Sequence, residues 1–242
     1  EVWEDATTKE AYGVRRTYLL GKGLDGVMNY PFRNAILSFL RGDSTLSCAE
    51  QLTSICEHYP APALHALMNH LSTHDTERVL TALEDEPALG RDRYWQSGRR
   101  LPKARYDHGI RLVRLAYAML FTLPGVPCIY YGDEVGMQGY RDPFNRAYYD
   151  WGSTENRLKP LLRQLAKLRK ECDAFWEGEF RVTRADGGLL QYRRTGPTET
   201  AEIIINRTPR LMATRALGKV TEVDPFGFTV VVEDTAAVAE AL

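Results

Sequence analysis

The stretch Leu71-Ser72-Thr73-His74-Asp75-Thr76-Glu77-Arg78 decides how this chain is read. An apolar run at residues 64–68 precedes it and predicts a strand; an apolar-periodic run at residues 79–83 follows it and predicts a helix. A His-Asp pair in a strand-to-helix loop is a chemical signal, because in α/β folds such loops gather at one end of the sheet. Asp75 is equally suited to cap the helix that follows. Both uses of the same carboxylate stand at this point.

On the N-terminal side, Val27-Met28-Asn29-Tyr30 predicts a short strand, and Pro31 opens a helix to about residue 41, since proline fits the first helical turn. Asp43 or Ser44 caps a second helix that carries Leu46, Leu52 and Ile55 and stops before Pro60. On the C-terminal side, residues 84–102 are a polar excursion. Residues 106–123 predict a long helix with Ile110, Val113, Tyr117, Leu120 and Phe121 on one face. Cys128-Ile129-Tyr130-Tyr131 reads as a buried strand, residues 132–151 as a loop and residues 158–169 as an amphipathic helix. Beyond residue 173 the helical period gives way to short alternating runs at 180–182, 189–193, 201–205 and 228–232, with Asp186-Gly187-Gly188 as a hairpin signal. The fold class expected is α/β plus all-β: a βα region at residues 1–172 and a small antiparallel domain at 173–242. Three strand–helix units are visible, with a fourth strand ending at Glu1, and four strands do not close an eight-stranded barrel.

The composition is that of a soluble globular protein, with 44% hydrophobic residues, 26% charged residues and a net charge of −1. That balance gives no reason to expect nucleic acid as a partner. No apolar run approaches the ~20 residues that span a bilayer, and no secretory signal opens the chain. Cys48, Cys56, Cys128 and Cys172 form no CxxC pair, and with His58, His65, His70 and His108 they make no zinc spacing. We therefore expect a reduced, cytoplasmic protein without metal or cofactor, with Cys128 as a core residue. The first residue is Glu rather than Met, as in a processed product or a piece of a longer protein.

Four pieces occur in order: Glu1-Val2-Trp3-Glu4-Asp5-Ala6; Asp25-Gly26-Val27-Met28-Asn29-Tyr30-Pro31-Phe32; Ser72-Thr73-His74-Asp75-Thr76-Glu77-Arg78; and Pro124-Gly125-Val126-Pro127-Cys128-Ile129-Tyr130-Tyr131-Gly132-Asp133-Glu134-Val135-Gly136-Met137. Together they resemble the α-amylase family of glycoside hydrolases, in particular its neopullulanase/cyclomaltodextrinase branch, from residue 1 to about 170. The resemblance implies the C-terminal part of a (β/α)8 TIM barrel, from the end of strand five through strand eight, followed by a small antiparallel β-sandwich domain. The front half of the barrel, with the aspartate nucleophile at the end of strand four, is then outside this sequence.

The resemblance also implies roles. Retaining hydrolysis uses two carboxyl groups about 5–5.5 Å apart, one a nucleophile and one an acid that then turns base. Glu1 matches the acid/base. Asp75 matches a third carboxylate that holds and distorts the sugar, and His74 a donor to the same sugar. Trp3 matches an aromatic on the leaving-group side, and Asp142 and Arg146 match a charged pair contacting the sugar further from the cut. Asn29 and Tyr30 are expected to serve packing. The activity implied is retaining cleavage of α-glucosidic bonds in maltooligosaccharides, cyclodextrins, starch or pullulan, with this chain inactive alone. A transglycosylase of the same family and a non-catalytic carbohydrate-binding or structural chain are the alternatives. The partners implied are an α-glucan oligosaccharide and, to cover open sheet edges, the missing N-terminal half or a second copy.

Overall fold

The computed structural model describes residues 1–240. It opens with a hairpin of two very short strands, β1 (Glu10–Ala11) and β2 (Val14–Arg15). Helix α1 (Tyr30–Arg41) starts where the sequence demands it. Asn29 Oδ1 accepts from the Phe32 amide at 3.2 Å, and Pro31 sits in the first turn, where its missing N–H costs nothing. The helix ends at Gly42, whose φ of 114° is a conformation that side chains avoid. Ser44, rather than Asp43, caps α2 (Thr45–His58) by accepting from the Ser47 amide at 3.2 Å.

The predicted strand at residues 64–68 is displaced. Pro60 caps a helix and Pro62 fits its first turn, so α3 (Ala61–His65) takes the first half and the strand is only β3 (Met68–Asn69). Three further helices follow: α4 (Val79–Glu84), the short α5 (Arg93–Gly98) inside the polar excursion, and the long α6 (Lys103–Thr122). The strand after α6 is β4 (Val126–Pro127), paired in parallel with β3, while Met28 adds one parallel bridge to Met68. Cys128 to Tyr131 are neither strand nor buried: Ile129 is 38% and Tyr131 41% exposed, and Cys128 is half-buried. Among the described residues no strand pairs with the outer edge of β4. Helix α7 (Leu158–Glu171) closes this half.

The second half is β5 (Glu179–Asp186), β6 (Leu189–Thr195), β7 (Glu199–Asn206), β8 (Met212–Ala216), β9 (Lys219–Val223) and β10 (Gly227–Asp234), then α8 (Thr235–Glu240). Gly187 and Gly188, at φ 55° and 86°, form the β5–β6 turn that their sequence announces. The strands make an antiparallel sheet in the order β10-β7-β6-β5, and β8 and β9 form a separate hairpin. The strand period of two divides the sheet. Leu189 and Ile204 face Ala216 and Val223 of the hairpin, whereas Leu190, Tyr192, Ile203 and Ile205 join the core built by the helices. Sheet and helices thus share one apolar core. The sheet is anchored at the ends of α1 and α6: Arg207 donates to the Gly42 and Asp43 carbonyls at 3.1 and 2.6 Å, and Arg194 to the Thr122 carbonyl at 2.7 Å. Tyr30 lies at the opposite end of α1. No helix among the described residues is long and apolar enough to cross a membrane.

Candidate active site

Because Met28, β3 and β4 run parallel, the loops that follow them emerge on one side. Two asparagines tie the three segments together. Asn29 Nδ2 donates to Asn69 Oδ1 at 2.8 Å, and Asn69 Nδ2 to the Pro124 carbonyl at 2.6 Å. Just beyond this ladder sits Tyr30, fully buried, its ring stacked on Trp3 at 4.1 Å and edge-on to His70 at 4.5 Å. Its Oη donates to Glu1 Oε1 at 2.6 Å. Burial, and then the Glu1 carboxylate it bonds, push the phenol up to about 12, so it stays protonated and a donor. Tyr30 therefore does more than pack: it holds Glu1. Asn29 packs, as expected.

The loop quoted first folds back on itself. The Thr73 amide donates to Thr76 Oγ1 at 3.0 Å and the Asp75 amide to Thr73 Oγ1 at 3.1 Å. Asp75 caps no helix; Ser72 Oγ takes that place, accepting from the Val79 amide at 2.7 Å. The Asp75 carboxylate is thus turned outward, with His74 Nε2 3.2 Å from its Oδ2. Glu1, His74 and Asp75 place one polar atom each within 4.8 Å of one another.

A residue that the sequence reading passed over secures this loop. Asn145 is fully buried, and its Nδ2 lies 3.1, 2.8 and 2.8 Å from the carbonyls of Thr73, His74 and Thr76. Its neighbour Arg146 donates to the His74 carbonyl at 3.1 Å, sits 2.9 Å from Asp142 and reaches Asp75 Oδ1 at 3.5 Å. The signal for Asn145 was its place in Asp142-Pro143-Phe144-Asn145-Arg146, but only tertiary contact shows what an amide does there. Arg78, with no exposed surface, ties the start of α4 to the turn after β4. It bonds the Tyr131 carbonyl at 2.6 Å and Asp133 at 3.2 Å, and packs under both Tyr130 and Tyr131. All six residues singled out in the sequence, Glu1, Trp3, His74, Asp75, Asp142 and Arg146, fall in this one region.

Residues 3–181 match the family model described as the catalytic domain of α-amylase. The chain belongs to the α-amylase family. Glu1 and Val2 precede the matched residues. A cyclomaltodextrinase from Geobacillus thermopakistaniensis is 34% identical over 86% of this chain and 31% of its own length. An amylopullulanase from Thermoanaerobacter thermohydrosulfuricus is 30% identical over 86% of this chain and 14% of its own. The ligand-free cyclic α-maltosyl-(1→6)-maltose hydrolase of Arthrobacter globiformis superposes with a TM-score of 0.75 at 29% identity, covering 90% of this chain and 46% of that one. This α-amylase-family chain therefore spans between about an eighth and a half of the proteins it matches.

Proposed function

We propose that this chain supplies the back half of the active site of an α-glucan glycoside hydrolase that cleaves with retention. The observation that carries the reading is the convergence of Glu1, His74 and Asp75, with Tyr30 holding the Glu1 carboxylate from behind. Glu1 is the general acid/base, the only one of the pair required for double displacement that this chain supplies. Asp75 and His74 grip the hydroxyls of the sugar being cut and favour its flattened, oxocarbenium-like form. Trp3, stacked on Tyr30, offers a ring to the leaving-group sugar. Asp142 and Arg146 bind on the other side, and Arg146 also steadies Asp75. In this reading residues 1–172 are the end of strand five through strand eight of the (β/α)8 barrel, and residues 173–242 its C-terminal β-sandwich domain. The nucleophile comes from the front half of the barrel, so the chain by itself turns over nothing. Cyclodextrins, pullulan and maltooligosaccharides are the substrates that relatives named cyclomaltodextrinase, neopullulanase and maltogenic α-amylase suggest.

The test joins the chain to the front half of a cyclomaltodextrinase relative and assays maltooligosaccharide and cyclodextrin cleavage. Turnover with the α-anomer as first product is expected. Glu1→Gln is expected to lose about 10²–10⁴-fold, the usual worth of a general acid–base group. Robust cleavage by the 242-residue chain alone, or an unimpaired Glu1→Gln, would sink the reading.

A further inference from the structure

The loop that carries Arg146 does not end at the site. Two residues on, at most about 7 Å of backbone, comes Tyr148, and Trp151 follows soon after. Tyr148 is 99% and Trp151 90% exposed, and Tyr149 lies with its ring 4.8 Å from that of Trp151. A single exposed ring needs no explanation, but two exposed aromatics three residues apart, with half-buried Tyr149 between them, hold a large apolar area in water. The backbone beneath them is not loose. Tyr131 Oη donates to the Ala147 carbonyl at 2.8 Å, and Ser153 Oγ to the Val135 carbonyl at 2.9 Å. The rings are therefore presented on a pinned segment.

The segment borders two clefts: Tyr148 lines one, and Asp150 and Gly152, on either side of Trp151, line the other. The first, of about 330 Å³, runs on into the second, of about 550 Å³, and the two share Tyr106, Asp150 and Ser153. Charges in the larger cleft balance, Lys103 and Arg157 against Asp150 and Glu155. A balanced wall of donors and acceptors beside bare aromatic faces suits neither an anion nor a cation. It suits a neutral polyhydroxylated chain with apolar C–H faces, which stack on rings, and a rim of hydroxyls, which take hydrogen bonds. Tyr106 fits that surface as a neutral hydroxyl, its phenol pushed up to about 12 by burial.

We infer that the Tyr148–Trp151 segment and the cleft beside it form a further binding stretch for a linear α-glucan that leaves the site past Arg146. The segment favours long substrates over maltose. The inference rests on the α-glucan reading of the site, and its test is separable from that reading. Titration calorimetry of the 242-residue chain with maltohexaose and with maltose is expected to show tighter binding of maltohexaose. The double variant Tyr148→Ala/Trp151→Ala is expected to weaken maltohexaose about tenfold, the loss of one or two good aromatic contacts. Its melting temperature should be unchanged, because both rings are in water. Equal affinity for the two sugars, no binding of maltohexaose, or an unaffected double variant would each overturn the inference. So would burial of Trp151 in the chimera without any glucan, read as lost acrylamide quenching, which would make the patch a contact with the front half. If the patch fails while the chimera still depends on Glu1, only the binding stretch falls.

Discussion

His70 is the residue whose surroundings conflict most with its chemistry. It is buried, neither ring nitrogen has a partner among the described residues, and Tyr30 presses on its face. Burial first, and the Arg33 guanidinium second, hold its imidazole down to about 3. The folded protein therefore keeps His70 neutral while the unfolded chain protonates it below about pH 6.5. Stability from this group is complete above that pH and falls as pH drops toward 3, by on the order of 1.4 kcal/mol per unit. Asp133, buried and held up to about 6, titrates with the opposite sign over part of the same range, so the wild-type curve is a composite. His70→Leu is expected to flatten the acid-side loss relative to wild type between pH 6 and 4, checked by urea midpoints at each pH. An identical slope in the variant would refute it. At this scale the motifs already name Glu1, His74 and Asp75, and the fold brings one polar atom of each within 4.8 Å of the others. Tyr30 was legible only as packing, since its bond to Glu1 joins residues that the sequence separates widely.

Among elements, the link between α4 and the turn after β4 rests on Arg78. Its guanidinium is wholly buried against Asp133, with its Nε and Nη2 lacking hydrogen bonds, and two tyrosine rings cover it. Removing one partner of such a pair leaves an uncompensated charge and costs about 3–5 kcal/mol. Arg78→Met is expected to lose stability in that range in chemical denaturation, and Arg78→Met/Asp133→Leu to recover much of it. No recovery would mean that the ion pair is not what the site requires. The helices were well read because amphipathic periods and caps are local: α1, α2 and α7 start within a residue of where the sequence puts them. Strands were read less well. Apolar runs at 64–68 and 128–131 looked like strands, yet one is half helix, and of the other only Cys128 joins the ladder, its amide donating to the Asn69 carbonyl at 2.7 Å. β8 and β9 were missed, because Met-Ala-Thr-Arg-Ala and Lys-Val-Thr-Glu-Val show little apolar alternation when only one face meets a partner.

At the scale of the molecule, the parallel strands end abruptly at β4, leaving Val126 52%, Ile129 38% and Tyr131 41% exposed beside an unpaired edge. Such a face gains free energy from any chain that covers it. The isolated chain is expected to self-associate with rising concentration in sedimentation velocity, and Ile129→Lys to shift it toward monomer; a monomer at all concentrations would argue against an adhesive face. The sequence by itself determined the change from helical to strand period near residue 173, the caps, the order of the four motifs and hence the family. Each of these is written in neighbouring residues. Only the tertiary structure decided that Asn145 pins the His74-Asp75 loop, that Arg146 reaches Asp75, and that Tyr30 holds Glu1. These contacts join residues 29 to 72 positions apart, and no local period or spacing encodes them.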